Sequence, residues 1–360
     1  MRRFIAAALA AAIVAAGIGC SQPVDTGSPV PAASQPFVAL LALIGLAIGV
    51  TAFEHHAGRG AMPSPTPSGS GGLTPPLLVV RFSSPASDMN IGGAGALVAG
   101  VIEPGASATR YEQVVVPSST QTFGFTLPAG YNATALAIDG SGNVWFDDTA
   151  GNLKECAAPT SSSGACMPIA SLSDGIAKTG TRSMDADSAN LFVAVDNGAS
   201  GTAYAQFSLP GGVPNASGNV PGTALLAGDA VTETDFVTTT TSFTCFRTDG
   251  SSFVFQSGSA ADNPFSLSPA PNSAPGNPTV SQDASLAEIF FGLLGTTSGA
   301  YQIARYSGAN GAEQASITIA QGGQTSGNLF TVPLKSLRAD LQRDTFALDA
   351  SGQLVEFSSF

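Results

Sequence analysis

One strand-turn-strand phrase constrains this chain more than any other feature: Ala135-Leu-Ala-Ile-Asp139-Gly-Ser-Gly142-Asn143-Val-Trp-Phe146. Two apolar, β-prone runs flank a turn in which Asp139 can bond its own downstream backbone and Gly142 tolerates positive φ, so the segment reads as a hairpin. A close variant ends the chain at Phe346-Ala-Leu-Asp349-Ala-Ser-Gly352-Gln-Leu-Val-Glu-Phe357. Looser echoes lie at Met184 to Val193, at Asp249 to Phe255, and at Val280 to Asp283 ahead of Ile289-Phe-Phe291.

A hairpin repeated along the whole body favours a ring of similar blades over a sandwich of dissimilar strands. The expected fold is therefore all-β, a β-propeller of about six four-stranded blades, with five or seven also compatible, preceded by N-terminal hydrophobic helices. Strand candidates outside the phrase are Leu77–Phe82, Gln113–Val116, Thr122–Thr126, Leu191–Val195, Tyr204–Ser208, Phe236–Thr240, Ser242–Phe246, Phe253–Gln256, Glu288–Phe291, Gln302–Tyr306 and Ala315–Ile319. Leu77–Phe82 is a free strand predicted to close the ring beside Leu354–Phe357, which would remove exposed edges. Pro333–Arg343, with leucines at 334, 337 and 341, reads as a helix or an extended inter-blade loop.

Composition bounds the surroundings. Up to Pro76, Arg2, Arg3 and Arg59 exceed Asp25 and Glu54 by one charge, which leaves −13 on the rest of a chain whose total is −12. An acidic body of this kind repels phosphate backbones, so nucleic acid is not an expected partner. Cys156 and Cys166 bracket a flexible stretch that a disulfide can close in an oxidising compartment; two buried thiols are the alternative. Cys245, between Phe243 and Phe246, reads as a small buried hydrophobe.

The first quarter is of a different kind. Met1-Arg2-Arg3 and the apolar run Phe4 to Ala16 have the layout of a secretory signal over residues 1–20. Ending at Gly17-Ile18-Gly19-Cys20, the segment resembles a bacterial lipoprotein signal, which implies lipidation of Cys20; a plain signal is the alternative. Residues 37–53 form a second apolar run of about 25 Å as a helix, close to the ~30 Å core of a bilayer and hence a transmembrane candidate. Gly45 and Gly49 give it a GxxxG spacing. Residues 57–76 are a Pro/Ser/Gly-rich linker, and residues 77–360 form the β-domain. A Lys-poor, Ser/Thr-rich body with a closable disulfide suits a bacterial cell envelope, anchored in the membrane with the β-domain outside the cytoplasm.

Ile138 to Phe146 followed by Gly151-Asn152-Leu153 resembles a blade of the NHL-repeat and virginiamycin B lyase-like propellers. That resemblance implies the propeller fold and a group that includes lyases, lactone hydrolases and binding scaffolds. Its streptogramin-cleaving members use a histidine base and bound magnesium, whereas this chain has two histidines, His55 and His56, both outside the β-domain. The lyase mechanism therefore does not transfer, a Ser-His-Asp triad cannot form within the domain, and the body has no recognisable nucleophile motif.

Acidic groups are what remain. Asp147-Asp148, and Asp185 and Asp187 with Asn190 and Asp196, are candidate calcium or magnesium ligands, although hairpin turns account for both groups and no cofactor is required. Trp145 reads as packing between blades or stacking on a sugar. The expected function is a membrane-tethered extracytoplasmic binding module for a protein or glycan. The alternative is a divergent metal-dependent hydrolase or lyase using carboxylates at the central channel.

Overall fold

The computed structural model describes residues 73–93, 97–116, 121–161, 164–176, 182–187, 189–197, 200–221, 225–234, 239–247, 249–256, 259–271, 280–282, 289–295, 300–320, 330, 333–340 and 342–360. Cys20, His55, His56, the apolar runs at 1–20 and 37–53, and most of the linker lie outside them. The chain divides into two units, Met1–Gly60 and Ala61–Phe360. The second contains all of the described residues.

Among the described residues 24 strands form six four-stranded antiparallel sheets, the blades of a six-bladed propeller. Strands a to d run from innermost to outermost within each blade. Blade 1 is β2 (Asp88–Gly92), β3 (Val98–Glu103), β4 (Arg110–Val115) and β5 (Thr122–Thr126). Blade 2 is β6 (Ala133–Ile138), β7 (Val144–Asp148), β8 (Asn152–Cys156) and β9 (Pro168–Ser173). Blade 3 is β10 (Arg182–Ala186), β11 (Asn190–Asp196), β12 (Thr202–Ser208) and β13 (Val213–Val220). Blade 4 is β14 (Leu225–Thr234), β15 (Thr239–Arg247), β16 (Ser251–Gln256) and β17 (Ser259–Ser266). Blade 5 is β18 (Val280–Gln282), β19 (Ile289–Gly295), β20 (Tyr301–Ser307) and β21 (Glu313–Ala320). Blade 6 takes β22 (Leu334–Ala339), β23 (Thr345–Asp349) and β24 (Gln353–Phe357), and borrows β1 (Leu78–Arg81) as its strand d. The closure expected from the sequence is present: Leu78 pairs with Glu356 and Arg81 with Gln353.

Apolar side chains on the two faces of each blade build a core against each neighbour. Among the described residues six such cores follow one another round the ring. Tyr111, Phe125, Leu136 and Phe146 join blades 1 and 2, Trp145, Met184, Val193 and Phe207 join 2 and 3, and Phe192, Phe243 and Phe253 join 3 and 4. Phe246, Phe290 and Tyr306 join 4 and 5, Phe291, Ile303, Leu337 and Phe357 join 5 and 6, and Val80, Met89, Val101 and Phe346 close 6 onto 1. Stability is thus spread over inter-sheet contacts rather than held in one centre.

Two expectations change. Pro333–Arg343 is neither helix nor loop: Leu334–Ala339 is β22, the innermost strand of blade 6. A bulge between Leu334 and Ser336 puts Leu334 and Leu337 into the same core, so an i, i+3 spacing that imitates a helix arises from one extra residue in a strand. The two best-matching phrases also sit on opposite faces of the ring. Asp139 is in an a–b turn, between β6 and β7, whereas Asp349 is in a b–c turn, between β23 and β24. The counterparts of Asp349 are Asp148 and Asp249, and those of Asp139 are Asp187 and Asp340.

Cys156 and Cys166 form a disulfide, with Cα atoms 5.5 Å apart, across the c–d loop of blade 2. That loop lies along the outer edge of blade 1: Gly124 N donates to Ser161 O (2.9 Å), Thr126 N to Gly164 O (2.9 Å), and Cys166 N to Thr126 O (3.0 Å). An outermost strand presents unpaired backbone groups, and here the loop covers them. Replacing both cysteines by serine is expected to cost about 2–3 kcal/mol. Hydrogen exchange should speed up at Gly124 and Thr126 but not at strand β11, a pattern that uniform loosening of the ring would not produce.

Candidate functional site

The axis of a propeller is ringed by innermost strands whose inner edges have no strand partner. In blades 6, 1, 2 and 3 polar side chains satisfy those edges and join one blade to the next. From β22, Arg338 Nε donates to Met89 O on β2 (3.0 Å). From β2, Asp88 accepts Leu136 N (3.4 Å) and Asn90 accepts Ile138 N (3.1 Å), both on the free edge of β6. Asn90 Nδ2 then reaches past β6 to Asp185 Oδ1 on β10, at 3.0 Å. All four side chains are buried. Burial pushes the Asp88 carboxyl up to about 6, against the opposing pull of Arg338.

The second polar centre lies between blades 2 and 3, towards the b–c face. Arg182 is wholly buried; its Nε lies 2.9 Å from Asp147 Oδ2, its Nη2 lies 3.0 Å from Asp174 Oδ2, and its Nη1 donates to Thr149 O (3.0 Å). Burial first, and then the neighbouring charge of Asp174, push the Asp147 carboxyl up to about 8 despite Arg182. Gly151 is required here, since its φ is +80° and a Cβ would overlap Asp174. A third cluster joins blades 6 and 1. Glu112 accepts Ser83 N (3.0 Å), Glu103 accepts Ser84 N (2.9 Å), and Arg110 pairs with both carboxylates.

The acidic residues singled out in the sequence are therefore separated. Asp147 belongs to the buried ion cluster, while Asp148 turns outward and caps its own b–c turn, accepting Ala150 N (2.8 Å) and Asn152 N (3.0 Å). Asp185 lines the axis, while Asp187 caps an a–b turn through Ala189 N and Asn190 N, each at 2.6 Å. Among the described residues no three His, Cys, Asp or Glu side chains gather as a metal site. Trp145 packs between blades and donates from Nε1 to Asp139 Oδ2 (3.2 Å). Cys245 is a buried free thiol whose pKa burial raises well above its ordinary value.

Sequence reasoning missed Asp88, Asn90, Asp174, Arg182 and Arg338, because each acquires its role from a neighbouring blade. It also placed the acidity on the surface. Among the described residues twelve carboxylate residues are buried against three buried arginines, so much of their acidity is internal.

The outer surface has its own pattern. Among the described residues the exposed large apolar side chains, Leu77, Val79, Met167, Ile169 and Val213, all lie on or beside the outermost strands β1, β9 and β13. Met167 is 72% exposed and Val213 60%. Two other outermost edges are covered: β5 by the disulfide loop, and β21 in part by Thr74, whose N donates to Thr318 O (2.8 Å). Among the described residues no such cover lies over β1, β9, β13 or β17.

No family model and no curated protein matches the chain. Solved structures do. A chain of the mitotic checkpoint complex superposes with a TM-score of 0.52 at 9% identity, over 84% of this chain and 100% of that one. The WD40 β-propeller domain of Doa1 gives a TM-score of 0.47 at 10% identity, over 81% of this chain and 98% of that one. The class is the one its sheets define, a six-bladed β-propeller, and at such identities the likeness extends to fold alone.

Proposed function

We propose that the propeller is an interaction module, tethered to a membrane by its N-terminal segment and working outside the cytoplasm, that binds a protein or glycan. One observation carries this reading: among the described residues the exposed large apolar side chains lie on or beside the outer strands β1, β9 and β13, whose edges are uncovered. An open strand edge beside exposed apolar side chains offers both backbone hydrogen bonds and pockets to an extended segment of a partner. The signal-like residues 1–20, the apolar run 37–53 and the Cys156–Cys166 disulfide support the compartment. The likeness of Ile138–Phe146 to NHL-repeat and virginiamycin B lyase-like blades belongs to this reading. So does a Cys20 lipid anchor, and nucleic acid stays outside it. The alternative, a hydrolase or lyase working through carboxylates at the axis, asks Asp88 and Asp185 to face a substrate; both already accept hydrogen bonds from the protein.

The test places a photo-crosslinking residue at position 169 on β9, and a control at position 107 in the exposed b–c loop of blade 1. In intact cells the expected result is a discrete crosslinked product from position 169 alone, and cleavage of the 57–76 linker by protease added outside. Equal products from both positions, or cleavage only after lysis, would overturn the rim site and the compartment respectively.

A further inference from the structure

Three positions recur around the a–b turns of blades 2, 3 and 6. An aspartate opens the turn, an Asn or Asp closes it, and a Glu or Gln on strand c stands opposite the aromatic residue of strand b. In blade 2 they are Asp139, Asn143 and Glu155, with Glu155 opposite Trp145. In blade 3 Gln206 holds the strand-c position, opposite Phe192. In blade 6 Glu356 does so, opposite Phe346.

Blade 3 builds this arrangement from neutral groups: Gln206 Nε2 donates to Asn190 Oδ1 (2.7 Å), and the Gln206 Oε1 left without a donor among the described residues carries no charge. Blade 2 does not. Asn143 Nδ2 donates to Glu155 Oε1 (2.9 Å), but Glu155 Oε2 is buried and accepts no hydrogen bond among the described residues, in a residue only 3% exposed. Asp139 is held at the same turn: its Oδ1 accepts Ser141 N (2.8 Å) and Asn143 N (3.0 Å), and its Oδ2 accepts Trp145 Nε1. The buried acids Asp147 and Asp174 have Arg182, Glu103 and Glu112 have Arg110, and Asp88 has Arg338. The charged side chain that acts on Glu155 is Asp139, a second carboxylate, and together with burial it raises the Glu155 pKa. A buried carboxylate oxygen without a donor, next to a like charge, calls for a positive group that the polypeptide does not supply.

We propose that Asp139, Asn143 and Glu155 bind a hard divalent cation, calcium or magnesium, at the a–b turn of blade 2. All the available donors are oxygen: Glu155 Oε2, Asp139 Oδ2, and the Asn143 amide oxygen once the amide turns over. Backbone carbonyls and water complete the shell, because two carboxylates alone fall short of the six to eight oxygens such an ion takes. This site is distinct from Asp147–Asp148 and Asp185–Asp187, the acidic pairs the sequence suggested.

Trp145 makes the site readable, since it is the single tryptophan of the chain and is bonded to Asp139. Terbium added to the full-length chain in detergent is expected to show tryptophan-sensitised luminescence that excess calcium or magnesium removes, and the competing ion should raise the unfolding temperature. Glu155→Gln should weaken terbium binding at least about tenfold. It should leave the metal-free unfolding temperature unchanged or higher, because blade 3 carries Gln206 at the same position. Absence of sensitised luminescence together with absence of a metal-dependent melting shift in the unsubstituted chain would overturn the proposal. So would a Glu155→Gln protein that retains both.

Discussion

Replacing Arg182 by methionine is expected to lower the unfolding free energy by about 3–5 kcal/mol at pH 8. The guanidinium is wholly buried and is the cation facing both Asp147 and Asp174. Methionine fills much of the volume, so the loss comes from leaving carboxylates in a low-dielectric site without their counter-charge. The same variant should lose less at pH 5, because protonating Asp147 removes a charge that has lost its partner. Urea melts at the two pH values check both statements. An equal loss at both would mean that Arg182 acts by packing alone.

The second large effect is a stability that falls as pH rises. A carboxyl whose pKa is higher in the folded than in the unfolded chain binds a proton more tightly when folded. Its favourable contribution is therefore complete below the unfolded value and disappears as pH passes through the folded one. Asp88 is raised from 3.8 to about 6 and Asp147 from 3.8 to about 8, and Glu103 and Glu155 are raised in the same direction, burial being the first cause in each case. Stability should decline between about pH 4 and pH 8; Asp88 contributes on the order of 3 kcal/mol below about pH 4, an amount that is lost by about pH 6. Asp147→Asn keeps a neutral group in place and should flatten the upper part of the curve, between pH 6 and pH 8. The unfolding free energy of both proteins from pH 4 to 9 tests this, and a curve that rises towards pH 8 would refute it.

What could be read from the sequence follows the direction in which each strand faces. Strands b and c, with an apolar core on both sides, announce themselves: Leu191–Val195, Phe253–Gln256 and Leu354–Phe357 were legible, as was the closing strand at Leu77–Phe82. Innermost strands were legible unevenly: β6 stood out at Ala135–Ile138 and the echoes at Met184 and Val280 caught parts of β10 and β18, whereas β2 (Asp-Met-Asn-Ile-Gly) directs polar groups to neighbouring blades and shows no apolar alternation. Outermost β13 (Val-Pro-Asn-Ala-Ser-Gly-Asn-Val) is mostly exposed and contains both proline and glycine, so it resembles a loop. Phe236–Thr240 straddles the connection between β14 and β15, of which residues 235–238 lie outside the described residues. The Asp139–Glu155 pairing was hidden for a different reason. The two are distant in sequence and meet only through the register of β7 with β8, although an acid opposite the strand-b aromatic is a signal that recurs at Glu356.

The ring closes with its earliest strand. Arg81 and Gln353, which bond across β1 and β24, are 272 positions apart, so during synthesis β1 must wait while the first five blades are made. A chain stopped before Gln353 has β22 and β23 but no β24 on which β1 can pair, so blade 6 stays half-built and the apolar flank of blade 1 is left bare and ready to pair wrongly. Quality control of this protein thus falls on the codons for β24, where one strand decides between a sealed ring and an adhesive one.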